Sequence, residues 1–280
     1  MEDVNNDVVR IGLGQWHAVP GDKDTNLATA REVIAGLAAQ GAELIVLPEL
    51  WASGYDAPTL AEIVSATAEP VPGPRSEALA AAAREHGLWL VAGSVPEEAD
   101  GRIYNTTLVF DPTGELIGTH RKIHLYKPTA EDAVFGAGDT VTVLDTERFG
   151  KVGLATCFDG DHPGYARALR DRGARIVVMP AAYESGAETW WDILHPANAL
   201  ANGQWWITVN QAGGEGDAAM FGRSRVIAPD GSIAGEAPRH DQSPGPHLVT
   251  VDVDLRAGIA EADAYNADLW EGSQPLLYRV

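Results

Sequence analysis

An α/β fold of four layers, an αββα sandwich, is predicted by three features of the sequence. Apolar strand patterns alternate with amphipathic helix patterns along most of the chain. The stretches GAELIVLPE (41–49) and GARIVVMPA (173–181) share Gly-Ala-x-aliphatic-aliphatic-Val-aliphatic-Pro, so a similar strand recurs in each half. The strands are apolar on both faces and the helices on one, which buries the sheets between helices and against one another. No Gly/Ser-rich linker divides the halves, and residues 1–280 read as a single domain.

The elements follow in order. Residues 8–15 (VVRIGLGQ) read as a strand, and 26–40 as a helix with Leu27, Ala30, Ile34 and Leu37 on one face. Residues 42–50 (AELIVLPEL) form a buried strand, and a helix over 76–87 stops at Gly87. Strands are expected at 88–95, 104–112 and 116–125, with the turn signal DPTG (111–114) between the last two. The second half repeats the alternation with a strand at 151–157 and a helix over 162–173. Pro163 lies in the first turn of that helix and Gly173 past its end. A strand at 174–182 precedes a helix over 188–203, disturbed near Pro196 because proline lacks the N–H that the helix needs. Strands at 205–211, 224–229 and 247–254 complete the set.

Composition narrows the function classes. Hydrophobic residues make up 45% of the 280, enough for a core without staples. The single cysteine allows no internal disulfide and points to a reducing, cytoplasmic setting. MEDVNNDVVR at the N-terminus has neither the basic nor the apolar part of a secretory signal. Apolar runs such as LIVLP (44–48) fall far short of the roughly 20 residues of a membrane span. A net charge of −20, from 40 acidic against 20 basic residues, argues against nucleic acid and anionic membranes as partners. The acidic residues are scattered, as on a solvated surface.

The chemistry-bearing residues lie at strand ends, where open α/β sheets bind ligands. Cys157, in GLATCFDGDHPG (153–164), stands where an apolar strand emerges and a helix starts within about six residues. Most free cysteines are small buried hydrophobes, so its neighbours matter. Glu49 follows LIVLP, the strand that echoes the one after Cys157; it either starts a surface loop or needs a partner. Lys122 lies in THRKIHLYKP, where alternation sets His120, Lys122 and His124 on one face and Thr119, Arg121 and Ile123 on the other. It is an edge-strand lysine facing solvent or a third member of the cluster. A Cys157–His162 dyad competes with these partners, since histidine is the commonest thiol activator.

The segments LPEL…GY (47–55), HRKIHLY…E (120–131) and ATCFD (155–159) resemble, in order and spacing, the Glu, Lys and Cys motifs of the nitrilase superfamily of carbon–nitrogen hydrolases. PAAY (180–183), NALANGQWWITVNQ (198–211) and GRSRVIAPDG (222–231) extend the likeness over nearly the whole chain. The resemblance implies the αββα nitrilase-like fold, with Glu49 as general base, Lys122 as oxyanion stabiliser and Cys157 as nucleophile. A second glutamate of the family matches Glu131, expected to hold Lys122 in place. No metal or other cofactor is required.

With these roles, Cys157 attacks an amide carbonyl, Lys122 and the backbone N–H of Phe158 hold the oxyanion, and a thioester forms. True nitrilases usually carry Trp-Glu after the cysteine; Phe158-Asp159 here resembles the amidase branches. The family's usual Arg and Glu of one stretch are Asn198 and Ala201, and the arginine often found after the cysteine motif is missing. Both departures weigh against N-carbamoyl amino acids, unless Arg223 or Arg225 reaches the pocket. Tyr55, Phe158 and Tyr183 are expected as an aromatic substrate wall that suits a small aliphatic amide, with Trp190 and Trp191 either narrowing it or packing in the core. The alternatives are an N-carbamoyl-amine or amino-acid hydrolase, a nitrilase or an acyltransferase on the same scaffold, and then a non-catalytic binding protein. A homo-oligomer, dimer or larger, is the expected assembly. DGDH (159–162) reads as loop and helix capping in preference to a metal site, and GLGQWH (12–17) lacks the third glycine of a dinucleotide fingerprint.

Overall fold

The computed structural model describes residues 8–270 apart from 215, 217, 218, 243 and 244, with only the backbone of 266–270. The readings that fall on residues 1–7 and 271–280 lie outside the described residues. In chain order the elements are β1 (Val8–Gln15), α1 (Lys23–Ala39), β2 (Leu44–Val46), α2 (Leu60–Thr67), α3 (Pro74–His86), β3 (Trp89–Ala99), β4 (Arg102–Phe110) and β5 (Leu116–Arg121). Then come α4 (Glu131–Val134), β6 (Val143–Thr146), β7 (Gly150–Leu154), α5 (Pro163–Asp171), β8 (Ile176–Ala181), α6 (His195–Asn202) and β9 (Trp205–Asn210). The short strands β10 (Ala212–Gly213), β11 (Met220–Phe221), β12 (Arg225–Ile227) and β13 (Ile233–Glu236) lead to β14 (His247–Asp254) and α7 (Leu255–Trp270).

Two six-stranded sheets run β14-β1-β2-β3-β4-β5 and β13-β12-β9-β8-β7-β6. The echoed segments are β2 and β8, each the middle of a parallel trio: β1-β2-β3 in one sheet and β7-β8-β9 in the other. Alternation along each strand divides the core into layers. Leu44, Val46 and Val91 from the first sheet meet Leu154, Val178 and Val209 from the second. On the opposite faces, Ile45 and Leu90 pack with Ile34 and Leu37 of α1 and Leu79 of α3, while Val177 and Trp206 pack with Leu169 of α5 and Ala199 of α6. The result is the predicted order of helix, sheet, sheet, helix.

Boundaries differ where side chains override the pattern. α1 starts earlier than expected because Asp22 caps it, accepting the Thr25 N–H at 3.1 Å. α3 ends as read, on Gly87 at φ +63. The helix expected over 188–203 is a π turn, Trp190–Leu194, running into α6, with the His195 N–H bonded to the Trp190 carbonyl. Pro196, in the first turn of α6, is the local cause. α2, β6, β13 and α7 are short, peripheral or weakly patterned, and periodicity did not mark them; α7 reaches the inter-sheet core through Leu255 and Ile259. No helix among the described residues is long and apolar enough to cross a membrane.

Candidate active site

Glu49 lies just past β2, on a turn fixed from both sheets. Its N–H donates to the Ala181 carbonyl at the end of β8 (3.3 Å), and the Glu49 carbonyl accepts from Gln211 Nε2 at 2.8 Å. In the first sheet, Gly93 at φ +63 sits in the β3 bulge so close to the Pro48 carbonyl that any Cβ would collide with it. The next residue, Ser94, bonds the Pro48 carbonyl through its N–H and the Leu50 N–H through its hydroxyl. The strand expected over 42–50 therefore stops at Val46 and the chain turns, carrying the Glu49 carboxylate into the interior, fully buried.

Lys122 is also fully buried, which disposes of the solvent-facing alternative. Its N–H still follows the β4 ladder, donating to the Asn105 carbonyl at 2.8 Å. The strand expected to 125 ends here because Asp159 Oδ1 takes the N–H groups of Ile123 (3.2 Å) and His124 (2.9 Å). Lys122 Nζ stands 2.9 Å from Glu49 Oε1 and 2.9 Å from both oxygens of Glu131. Glu131, at the start of α4, also accepts the Tyr55 hydroxyl (2.8 Å) and the Tyr126 N–H (2.9 Å). Asn105 Nδ2 donates to Glu49 Oε1 at 2.8 Å, while no N–H or O–H among the described residues reaches Glu49 Oε2.

Cys157 opens a 3₁₀ turn, Cys157–Asp161, that separates β7 from α5. The turn replaces the last residues of the expected strand because Asp159 Oδ2 takes the Thr156 N–H (3.0 Å) and folds the chain back. Cys157 itself has φ +48. Leu50 beside Glu49 (φ +46) and Ala130 beside Glu131 (φ +59) are likewise left-handed, so three of the five non-glycine residues of positive φ in the described chain sit at this cluster. Backbone strain of this kind gathers where the surroundings hold a side chain in a demanded place.

Electrostatics ties the groups together. Burial raises the Glu49 carboxyl pKa; Lys122 opposes that, Glu131 reinforces it, and the Cys157 thiol is among the groups acting on it. Burial also pushes the Cys157 thiol well up, with Glu49 adding, while Lys122 and the Ala182 N–H pull it down. Burial alone would lower Lys122; Glu131 and Glu49 outweigh it, so its ammonium is held well above the usual value. The site thus sets a thiol raised by burial beside a carboxyl of raised basicity and an ammonium held between two carboxyls. His162 is turned elsewhere, with Nδ1 on the Phe158 carbonyl (2.8 Å) and its ring stacked on His124 at 3.8 Å.

A cavity of about 560 Å³ opens over Cys157 and is lined by Tyr55, Phe158 and Tyr183, as expected, and by Tyr126, Asp161, Glu184 and Trp190. The adjacent tryptophans divide: Trp190 is 49% exposed and lines the cavity, whereas Trp191 is 0% exposed and belongs to the core. The Tyr183 hydroxyl is engaged with Asp161 Oδ1 (2.6 Å), the Cys157 carbonyl (3.2 Å) and His195 Nε2 (3.2 Å). Arg223 and Arg225 do not line the cavity; both pair with Asp192 and Glu236. Asn198 supports the Cys157 turn from α6, donating to the Gly160 carbonyl at 2.8 Å.

Sequence reasoning passed over Asn105, Tyr126 and the clamping role of Asp159. The Thr156-x-x-Asp159 spacing of a reciprocal cap was the available sign for Asp159. Asn105 carries no local mark, because Glu49 is distant in the chain, and Tyr126, whose N–H reaches the nearby Glu131, meets Phe158 only through the fold.

The carbon-nitrogen hydrolase family profile matches residues 10–260. An omega-amidase of Xenopus laevis is 32% identical over 256 residues, covering 88% of this chain and 89% of the relative. The human omega-amidase is 31% identical over 245 residues, 84% of each. Among solved structures, an amidase of Nesterenkonia from the nitrilase superfamily superposes with a TM-score of 0.76 at 30% identity, covering 94% of this chain and 97% of that one. The same amidase has been solved in complex with butyramide (TM-score 0.75, 30% identity, 94% and 97% coverage). The chain belongs to the nitrilase superfamily of carbon–nitrogen hydrolases and is a hydrolase of carbon–nitrogen bonds.

Proposed function

We propose that the protein is an amidase that hydrolyses small aliphatic amides to a carboxylic acid and ammonia through a thioester on Cys157. The observation that carries this reading is the contact of Lys122 with both Glu49 and Glu131, buried beside the thiol that lines the cavity. Glu49 takes the thiol proton as sulfur attacks the carbonyl carbon. The oxyanion is held by the Lys122 ammonium and the Phe158 N–H, donors of the kind worth about 3–4 kcal/mol each. Glu49 then delivers its proton to the leaving nitrogen, the C–N bond breaks, and ammonia departs. Water attacks the thioester with Glu49 as base, releasing the acid and restoring the thiol. A carboxyl raised by burial suits the first half, because a more basic carboxylate takes the thiol proton more readily and then holds it for the leaving nitrogen. Glu131 is a positioning residue, holding Lys122 where the oxyanion forms.

The substrate class is supported by the cavity and by the neighbours. The Nesterenkonia amidase has been solved with butyramide, with acrylamide, and with the acetamide moiety of fluoroacetamide added to its active-site cysteine. Here the wall over the thiol is aromatic, and no lysine or arginine stands among its lining residues in the described chain. An anionic amide would therefore lack a counter-charge. The single-domain reading is supported by the core that both sheets share. A panel of acetamide, propionamide, butyramide and the matching nitriles, scored for acid and ammonia, tests the proposal. Amides consumed and nitriles untouched is the expected result; nitrile consumption without amide hydrolysis would replace the reading with a nitrilase.

A further inference from the structure

The cavity is larger than a four-carbon amide needs, and its remaining lining is negative and aromatic. Glu184 lines it together with Cys157, and no hydrogen bond or ion pair reaches the Glu184 carboxylate among the described residues. Burial raises its pKa with no opposing partner, so the charged form lacks compensation. The Tyr126 hydroxyl is raised first by burial and next by Glu184, with Asp161 also contributing, which puts these acidic groups about one space. Tyr126 and Phe158 meet edge to face at 5.1 Å, and Trp190 completes an aromatic wall that attracts cations. The nearby cations are otherwise engaged or outside. Lys122 is held between Glu49 and Glu131, Arg239 pairs with Glu188 at 2.8 Å, and exposed Lys127 is not part of the lining. The net charge of −20 gives the approaching substrate a field of the same sign.

We propose that Glu184 determines specificity by binding an ammonium group at the far end of the substrate, so that the preferred substrates are aliphatic amides carrying a terminal amine. The inference rests on the amidase reading above and narrows its substrate class. An amine with a pKa of about 10 is charged at pH 7. Its chain crosses the aromatic wall, leaving the carbonyl at Cys157 and the ammonium at Glu184. A terminal carboxylate would meet Glu184 and Asp161 with no lysine or arginine in the described lining to offset them.

Three probes of similar length differ only at the far end: pentanamide, 5-aminopentanamide and the monoamide of glutarate. Binding to Cys157→Ala by calorimetry, and kcat/KM with the intact enzyme, are measured at low and high salt. Expected is an order 5-aminopentanamide, pentanamide, glutarate monoamide, with about tenfold or more between the first and second. Glu184→Gln lowers the ratio of the first to the second about tenfold, and Glu184→Lys reverses the order of the first and third. A cation preference that salt abolishes and Glu184→Gln leaves intact would assign it to the overall charge and overturn the proposal, as would equal binding of all three. Absence of turnover with the ranking of binding preserved would sink the amidase reading and leave the ammonium site standing.

Discussion

Two buried polar clusters flank Cys157, and they are built differently. Around Asp159 every acceptor site is filled: His120 Nε2, His124 Nδ1 and the N–H groups of Thr156, Ile123 and His124 all lie within 3.2 Å. Its carboxyl is held below the usual range, because those hydrogen bonds, led by His120, outweigh burial. Around Glu49 the filling is uneven: Oε1 takes Lys122 and Asn105, while Oε2 takes no N–H or O–H from the described residues, and burial raises the carboxyl. A satisfied carboxylate fixes geometry, since moving it breaks several bonds at once. An under-satisfied one has room for a proton. Asp159 thus clamps the Lys122 strand end to the Cys157 turn, and Glu49 keeps the unfilled oxygen that the proposed proton exchange with the thiol requires.

The largest effects should come from the cluster proposed to react. Cys157→Ala should reduce amide hydrolysis by roughly 10⁴-fold or more, with the thermal transition preserved; retained turnover would remove the thioester from the mechanism. Cys157→Ser should be nearly as inactive, because an alkoxide is far harder to form than a thiolate.

Glu49→Gln and Lys122→Met should each lower kcat by about 10²–10³-fold, through loss of the proton shuttle and of oxyanion stabilisation. They differ in stability. Lys122→Met leaves two buried carboxylates without their cation and should cost about 3–5 kcal/mol in denaturant unfolding. Glu49→Gln keeps the shape and relieves a buried charge, so it should cost much less. A Lys122→Met protein as stable as the parent would mean that the carboxyls simply take up protons.

Asp159→Asn should sharpen the contrast through pH. The Asp159 carboxyl is depressed in the folded protein, so above about pH 3.9, the unfolded value, it contributes stability that is lost as pH falls through the folded value. The raised Glu49 carboxyl has the opposite sign: stability declines as pH rises from about 4.3, its unfolded value, through the higher folded one. Urea unfolding across pH should therefore show a steep acid limb that Asp159→Asn flattens, at a cost of about 3 kcal/mol near neutrality. Glu49→Gln should leave that limb in place and flatten the decline above it. An acid limb unchanged in Asp159→Asn would refute the clamp.

The same contrast explains what was legible in the sequence. Strand ends, and with them Glu49 and Cys157, follow from apolar runs that stop at a polar residue, and the echo between 41–49 and 173–181 located the two parallel trios that lie face to face. Lys122 had the correct face, shared with His120, but its strand was drawn too long, because the Asp159 clamp that ends it acts from 36 residues away. Asn105, and the contact of Tyr126 with Phe158, were invisible for the same reason. Trp190 and Trp191 could not be told apart by helical period, since the π turn changes the spacing that period assumes. Local rules reach the residues that begin and end elements; partners brought together by the stacking of two sheets lie beyond them.

The smallest effect concerns the aromatic wall of the cavity, which touches the Glu49 cluster only through the Tyr55 hydroxyl on Glu131. In the neutral series acetamide, propionamide and butyramide, each added methylene moves from water onto Tyr55, Phe158 and Tyr183. Burial of one CH₂ is worth about 0.8 kcal/mol, so kcat/KM should rise roughly threefold to fourfold per step, mostly through KM. Benzamide should fall below butyramide, because a rigid ring joined to the carbonyl cannot turn away from the aromatic wall that lines the cavity with the thiol. N-carbamoyl amino acids should be poorer still, since Arg223 and Arg225 are paired with Asp192 and Glu236 and no cation in the described lining receives a carboxylate. A carboxylated substrate preferred tenfold over all neutral amides would require one of those arginines to leave its partners. Asp192→Asn would then strengthen that preference by loosening both, whereas with the pairing intact it leaves the ranking of amides as it was.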